Sequence, residues 1–137
     1  MGIVYTNITL KNVKDIHRAE EGLIREKEIR QTAVEAVVDT GAITLVINED
    51  ICSRLGLELK GERHVRLAND AKQIVKVASP VEVHWKNRTM TCQPLVASRS
   101  GRILLGAIPL EEMDLIVDPV RQELTGAHGD EIISILV

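Results

Sequence analysis

Aromatic residues are almost missing from this chain. Its 137 residues include no phenylalanine, one tryptophan (Trp85) and one tyrosine (Tyr5), although 45% are apolar. The interior must therefore be aliphatic, and a Val-, Ile- and Leu-rich core suits compact β-structure. Cysteine is scarce: Cys52 and Cys92 stand far apart, without the paired spacing of a zinc or redox motif. Two free buried thiols are expected rather than a disulfide, which points to a cytoplasmic protein. No apolar run is long enough to cross a bilayer, and no basic-then-apolar leader opens the chain, so neither a membrane partner nor secretion is indicated. Charge of one sign is absent as well. The net charge is −3, with both signs mixed along the chain, which argues against a nucleic-acid partner. His17, His64, His84 and His128 are scattered without metal-ligand spacing, and there is no glycine-rich phosphate loop, so no metal and no cofactor are expected. With no repeat, linker or low-complexity tract, residues 1–137 read as one domain. A mean hydropathy of +0.03 suits a soluble protein.

The most informative stretch is Ala36-Val37-Val38-Asp39-Thr40-Gly41-Ala42, followed by Ile43-Thr44-Leu45-Val46-Ile47. One apolar run drives into an acid, a hydroxyl and a glycine, and a second leads away. The β-branched residues suit a buried strand, and Asp39-Thr40-Gly41 suits a turn. An acid between two buried runs costs free energy unless it is hydrogen-bonded or shares a charge. Taken alone, the triplet predicts an Asx turn in a hairpin.

The rest of the chain reads as short β-rich segments. Strands are expected over Ile3–Leu10, Gln31–Val38 and Ile43–Ile47, with residues 13–29 a charged helix or excursion ending at Gly22. Asn48 caps a short helix that Gly56 closes. Lys60-Gly61 reads as a turn. His64–Ala68 and Ala71–Val77 form a hairpin around Asn69-Asp70. Pro80–Trp85 is a strand with Glu82 and His84 on one face, Lys86-Asn87 a turn, and Arg88–Ala97 a returning strand with an edge or bulge at Pro94. Ile103–Leu105 is a short buried strand. Pro109 opens a short helix over Leu110–Met113. Leu115–Val117 and an apolar terminal strand, Ile132–Val137, complete nine or ten strands and two short helices. That count predicts an all-β architecture with closure.

Val38-Asp39-Thr40-Gly41-Ala42, together with Leu104-Leu105-Gly106-Ala107-Ile108-Pro109-Leu110 much later, resembles the retropepsin-like aspartic proteases, the single-domain family that includes the retroviral enzymes. Small prokaryotic members look most similar, and the resemblance covers residues 32–124 well. It implies a closed retropepsin-like acid-protease β-barrel with one or two short helices. It further implies an aspartic endopeptidase acting on peptide or protein substrates. By resemblance, Asp39, Thr40 and Gly41 are catalytic. Thr40 bonds across the paired loops, Gly41 lets the backbone approach the carboxylates, and Leu104, Leu105 and Gly106 brace the aspartate loop from beneath. Ala42 and the hairpin tip, Leu67, Ala68, Asn69, Asp70 and Ala71, would contact substrate, the hairpin being the flap. Retroviral flaps are glycine-rich at the tip and this one is not.

Carboxylate-driven peptide hydrolysis needs one acid ionised and one protonated, and two carboxylates about 3 Å apart share one proton. The chain has a single Asp-Thr-Gly, so activity of this kind requires a homodimer with one Asp39 from each subunit. The terminal strands, Val4–Leu10 and Ile132–Val137, are expected at that interface. The alternative is a retropepsin-shaped dimer that no longer cleaves and binds proteins or peptides.

Overall fold

A computed structural model describes residues 2–136. The first strand, β1 (Tyr5–Asn12), turns Ile8, Leu10 and Asn12 inward at alternate positions, as the period of a strand requires. Asn12 then caps α1 (Val13–Glu20), accepting from the Asp15 amide at 3.2 Å, while its own amide group donates to Leu55 O at 2.8 Å. The excursion ends at Gly22 with φ 77°, passes a 3-10 turn at Glu26–Glu28 and enters β2 (Gln31–Val38). Asp15 pins its far end, accepting from the Arg30 amide at 3.0 Å and from its guanidinium at 2.8 and 3.0 Å. The Arg30 side chain holds the Asp15 carboxyl below its usual pKa.

After the Asp39–Thr44 loop come β3 (Leu45–Asn48) and α2 (Glu49–Leu55). The caps are those expected: Asn48 Oδ1 accepts from Ile51 N at 2.8 Å, and Gly56 adopts φ 65°. The long hairpin of β4 (Leu59–Arg66) and β5 (Lys72–Ala78) follows, then β6 (Val81–Trp85), β7 (Arg88–Cys92) and β8 (Leu95–Ser98). Next are β9 (Ile103–Leu105), α3 (Ala107–Glu112), β10 (Leu115–Asp118) and β11 (Glu123–Gly126).

Among the described residues nine strands form one sheet in the order β4-β5-β8-β3-β9-β2-β1-β6-β7, and β10 and β11 pair separately. The position of β9 matters most for the site. It lies between β2 and β3, parallel to β2 (Val38 opposite Leu105) and antiparallel to β3 (Leu45 opposite Leu105). The chain therefore leaves β2, crosses the end of β9 and returns as β3. Around this point the core is aliphatic: Ile8, Leu10, Leu45, Ile47, Leu55, Val81, Val83 and Leu105 are all buried. Each such side chain contributes roughly 1.5–3 kcal/mol of burial. The lone indole, Trp85, is buried as well and donates to Thr6 Oγ1 at 2.8 Å.

Several expectations need correction. Lys60-Gly61 is inside β4, where the register shifts between Leu59 and Gly61, so the glycine marks a bulge rather than a turn. Arg88–Ala97 is two strands, divided at Gln93-Pro94. Pro94 lacks the N–H needed to continue a ladder, and β8 leaves for the opposite side of the sheet, beside β3 and β5. The last helix starts at Ala107 rather than Leu110. Pro109 is its third residue, still in the first turn, where no intrahelical N–H bond is needed. Residues 132–136 form no strand, and Val137 lies outside the described residues. Ile133 N donates to the Asp114 carboxylate at 3.0 Å, and the buried Arg88 holds the residues just before this segment through the Gly129 and Glu131 carbonyls. The sheet order accordingly ends at β4 and β7, and closure of a barrel is not seen among the described residues. Both edges of β1 are already paired, with β2 and β6. No helix is long and apolar enough to cross a membrane among the described residues.

Candidate active site

Asp39 is the first residue beyond β2, and its backbone N–H donates to Leu105 O at 3.0 Å, extending the β2–β9 ladder by one bond. The loop then closes on itself. Gly41 N donates to Asp39 Oδ1 at 2.9 Å and Ala42 N to Asp39 O at 3.1 Å. This is the Asx turn that the triplet alone predicts, but not the hairpin: β2 and β3 do not pair, because β9 lies between them. The turn also fixes the carboxylate, because the amide that closes the turn is bonded to it. Asp39 is half-buried and Thr40 and Gly41 are exposed.

The loop is braced from the β9 side. Ala107 N donates to Ala42 O at 2.8 Å and Ile108 N to Ile43 O at 3.0 Å. These contacts need Gly106, since a Cβ there would lie 2.3 Å from Thr44 O and 2.5 Å from Ala42 O. The two sequence blocks, far apart in the chain, thus meet as one unit: β9 and Gly106 set the height of the aspartate loop.

Across from this unit stands the β4–β5 hairpin. Its tip is a three-residue turn. Leu67 O accepts from Asp70 N at 2.9 Å, Leu67 N donates to Ala71 O at 2.8 Å, and Asp70 takes φ 68°. Aspartate tolerates this left-handed conformation better than most residues, which is how the turn closes without glycine. Between the hairpin and the aspartate loop lies an open cleft of about 760 Å³. Asp39, Gly41 and Ala42 line one side of it, Leu67 and Ala68 the other. Asn69, Asp70 and Ala71 are not on its wall. Asn69 Oδ1 accepts from Ala71 N at 3.1 Å and Asp70 pairs with Arg66 at 3.4 Å, so these residues build the turn. The cleft also takes in Leu104, named in the sequence only as a brace, and residues that reading the sequence missed: Ile43, Val46 and Leu95 as apolar wall, and Arg63, Val65, Gln73 and Val75 from the hairpin. The hairpin residues gave no signal of their own: β4 does not alternate, and their shared face follows from the β4–β5 register.

Other reactive groups are elsewhere. Burial pushes the Cys92 thiol up to about 11, and burial together with the charge of Glu49 raises Cys52, so neither is a ready nucleophile. His84 meets Glu82 at 2.5 Å, on the one face of β6 that alternation predicted, and His128 meets Asp114 at 2.6 Å. Among the described residues no group of three or more His, Cys, Asp or Glu converges as a metal site.

A family model described as gag-polyprotein putative aspartyl protease matches residues 26–112, a span that includes Asp39, the hairpin and Gly106. Among solved structures, the crystal structure of the retroviral protease-like domain of Ddi1 from Leishmania major is similar, with a TM-score of 0.56 at 15% identity. The match covers 91% of this chain and 88% of that one. At that identity the likeness is one of fold. No curated protein matches the chain.

Proposed function

The chain belongs to the retroviral-type aspartyl protease family, and from that membership we propose that it is an aspartic endopeptidase working as a homodimer, with one Asp39 from each subunit. The observation that carries this reading is the placement of Asp39. A single oriented, half-buried carboxylate sits on the wall of a cleft, opposite a hairpin, on a loop braced by Gly106. One such acid is half of the required chemistry. Two of them across a two-fold axis share a proton: the ionised carboxylate takes a proton from water as that water attacks the peptide carbonyl, and the protonated one donates to the carbonyl oxygen. Collapse of the tetrahedral intermediate breaks the C–N bond, and a carboxyl proton passes to the leaving amine.

Dimerisation is supported by exposed apolar residues, at the aspartate loop and on the C-terminal segment. Ile43 and Ile108, bonded to each other through the backbone, are 62% and 45% exposed, and Ile135 and Leu136 are 85% and 96% exposed. Such residues gain from burial against a second copy. Thr40, exposed beside Asp39, is assigned to a bond between the two loops.

One observation favours a second reading, a dimer that binds peptides without cleaving them: the hairpin tip is held by Asn69 and by the Arg66–Asp70 pair and contains no glycine. Cleavage of a broad peptide library between about pH 4 and 7, the range over which a carboxylate pair loses its shared proton, separates the two. Wild type should cleave and Asp39→Asn should not, while both remain folded. Equal cleavage by both proteins would remove Asp39 from the chemistry, and cleavage by neither would favour the binding module.

A further inference from the structure

The two faces of the β4–β5 hairpin differ, and the difference bears on substrate choice. Residues directly opposite in an antiparallel pair share a face. One face carries the pairs Glu62 with Lys76, His64 with Ile74 and Arg66 with Lys72, and Ile74 is 55% exposed. The other carries Arg63 with Val75 and Val65 with Gln73, and Val75 is 4% exposed, so this face turns toward the body of the protein. All four residues of the inward face line the cleft that holds Asp39.

Arg63 is thus a cation on an otherwise uncharged inward face. It forms no ion pair among the described residues, unlike Arg25, Arg30, Arg66 and Arg121. His64 and Arg66, from the other face of the hairpin, also border the cleft, but Arg66 is paired with Asp70, so Arg63 is the arginine of the wall without an ion pair, facing a cleft whose one carboxylate is Asp39. Beyond these groups the wall is largely apolar, with Val46, Val65, Val75, Leu95 and Leu104.

We propose that Arg63 is a specificity-determining residue that selects an acidic side chain, Glu or Asp, flanking apolar residues at the scissile bond of the substrate. The proposal rests on the endopeptidase reading of the same cleft. A guanidinium offers a planar fork of donors that a carboxylate accepts from in pairs. A pair in an open cleft is partly screened, so the preference should be moderate. Two-fold symmetry would supply one Arg63 to each half of the substrate, so acids should be favoured on both flanks.

The test uses fluorescence-quenched peptides with one common apolar centre and Glu, Gln or Lys placed in turn at each flanking position. Cleavage is measured at pH 6 for wild type, Arg63→Gln and Arg63→Glu, and binding of the same peptides to Asp39→Asn and to Asp39→Asn/Arg63→Glu is read by anisotropy. Arg63 is exposed, so these variants should fold. Wild type should prefer Glu over Gln at one or more flanks by roughly threefold to tenfold in kcat/KM, carried by KM, as expected for a partly screened ion pair that forms equally in ground and transition states. Arg63→Gln should level the series and Arg63→Glu should reverse it toward Lys. The Glu preference should fade by pH 4, as the substrate carboxyl, with a pKa of about 4.3, takes up its proton. Cleavage with no charge preference, or a preference that survives Arg63→Glu, overturns the role of Arg63 and leaves the protease standing. If wild type cleaves nothing, the endopeptidase reading fails and binding decides: a Glu-over-Lys order in Asp39→Asn that Arg63→Glu reverses upholds the selection, and its absence overturns it.

Discussion

Replacing Gly106 with alanine should damage both stability and chemistry, and the size of the effect follows from the contacts. The added methyl would sit 2.3 Å from Thr44 O, 2.5 Å from Ala42 O and 2.8 Å from Thr44 N. Comfortable contact needs roughly 3.5 Å, so the facing backbone must retreat by about 1 Å. All three atoms belong to backbone, and no side chain can swing aside. The retreat pulls Ala42 O from Ala107 N, now at 2.8 Å, and drags the turn in which Ala42 N is bonded to Asp39 O. Overpacking of this kind costs about 1–3 kcal/mol and the weakened hydrogen bond about 1 more, so Gly106→Ala should lose about 2–4 kcal/mol. In urea the midpoint should fall with an unchanged m-value. A displacement of about 1 Å at a catalytic group typically lowers turnover roughly a hundredfold, so kcat should drop by that order. Gly61→Ala is the control, since nothing lies within 4 Å of its Cβ and its φ is not positive. A Gly106→Ala protein within about 0.5 kcal/mol of wild type and fully active would refute the idea that Gly106 sets the position of the aspartate loop.

Three further outcomes are expected. Hydrogen bonds from Arg30 depress the Asp15 carboxyl below 3.8, so the pair stabilises fully above the usual carboxylate range, and that contribution is lost as pH falls through the depressed folded-state value. Asp15→Asn should therefore cost about 1–2 kcal/mol at pH 7 with a gap that narrows toward pH 3; urea melts giving a constant gap would contradict this. Buried Arg88 donates to the carbonyls of Met113, Asp114, Gly129 and Glu131, and Arg88→Met should cost about 2–4 kcal/mol and speed amide exchange over residues 129–133, whereas unchanged exchange there would show that Arg88 does not hold the C-terminal segment. Buried Cys52 and half-buried Cys92, whose thiols are both raised, Cys92 to about 11, should resist alkylation in the native protein at pH 8 and react once urea unfolds it; rapid native labelling of either would contradict the raised thiol.

Much of the fold was legible wherever one local signal stood without a rival. Asn48 and Gly56 bracket a helix because both end conditions are written in side chains. The alternation of Val81–Trp85 places Glu82 and His84 together, and they do meet. Asp39-Thr40-Gly41 reads correctly as a turn between two strands, although only Ala36 of β2 is fully buried. Failures arose where one residue type serves two purposes. Gly61 suits a turn or a bulge, and only the pairing of β4 with β5 decides. Pro94 suits an edge or a break, and the break depends on β8 crossing to β3 and β5. The apolar residues 132–136 have strand composition but pair with no strand among the described residues, and composition alone does not supply a partner. Of the residues singled out in the sequence, Asp39, Gly41, Ala42, Leu67 and Ala68 line the cleft. Arg63, Val65, Gln73 and Val75 line it too but were not singled out, because their shared face follows from a register that only the folded hairpin fixes.

The dimeric aspartic-protease reading is tested most directly by the separation of two Asp39 carboxylates in a crystal structure of the assembled protein. They should lie about 3 Å apart across a two-fold axis, close enough to share one proton. A monomer, or a dimer that holds the two Asp39 residues on separate faces, would contradict it.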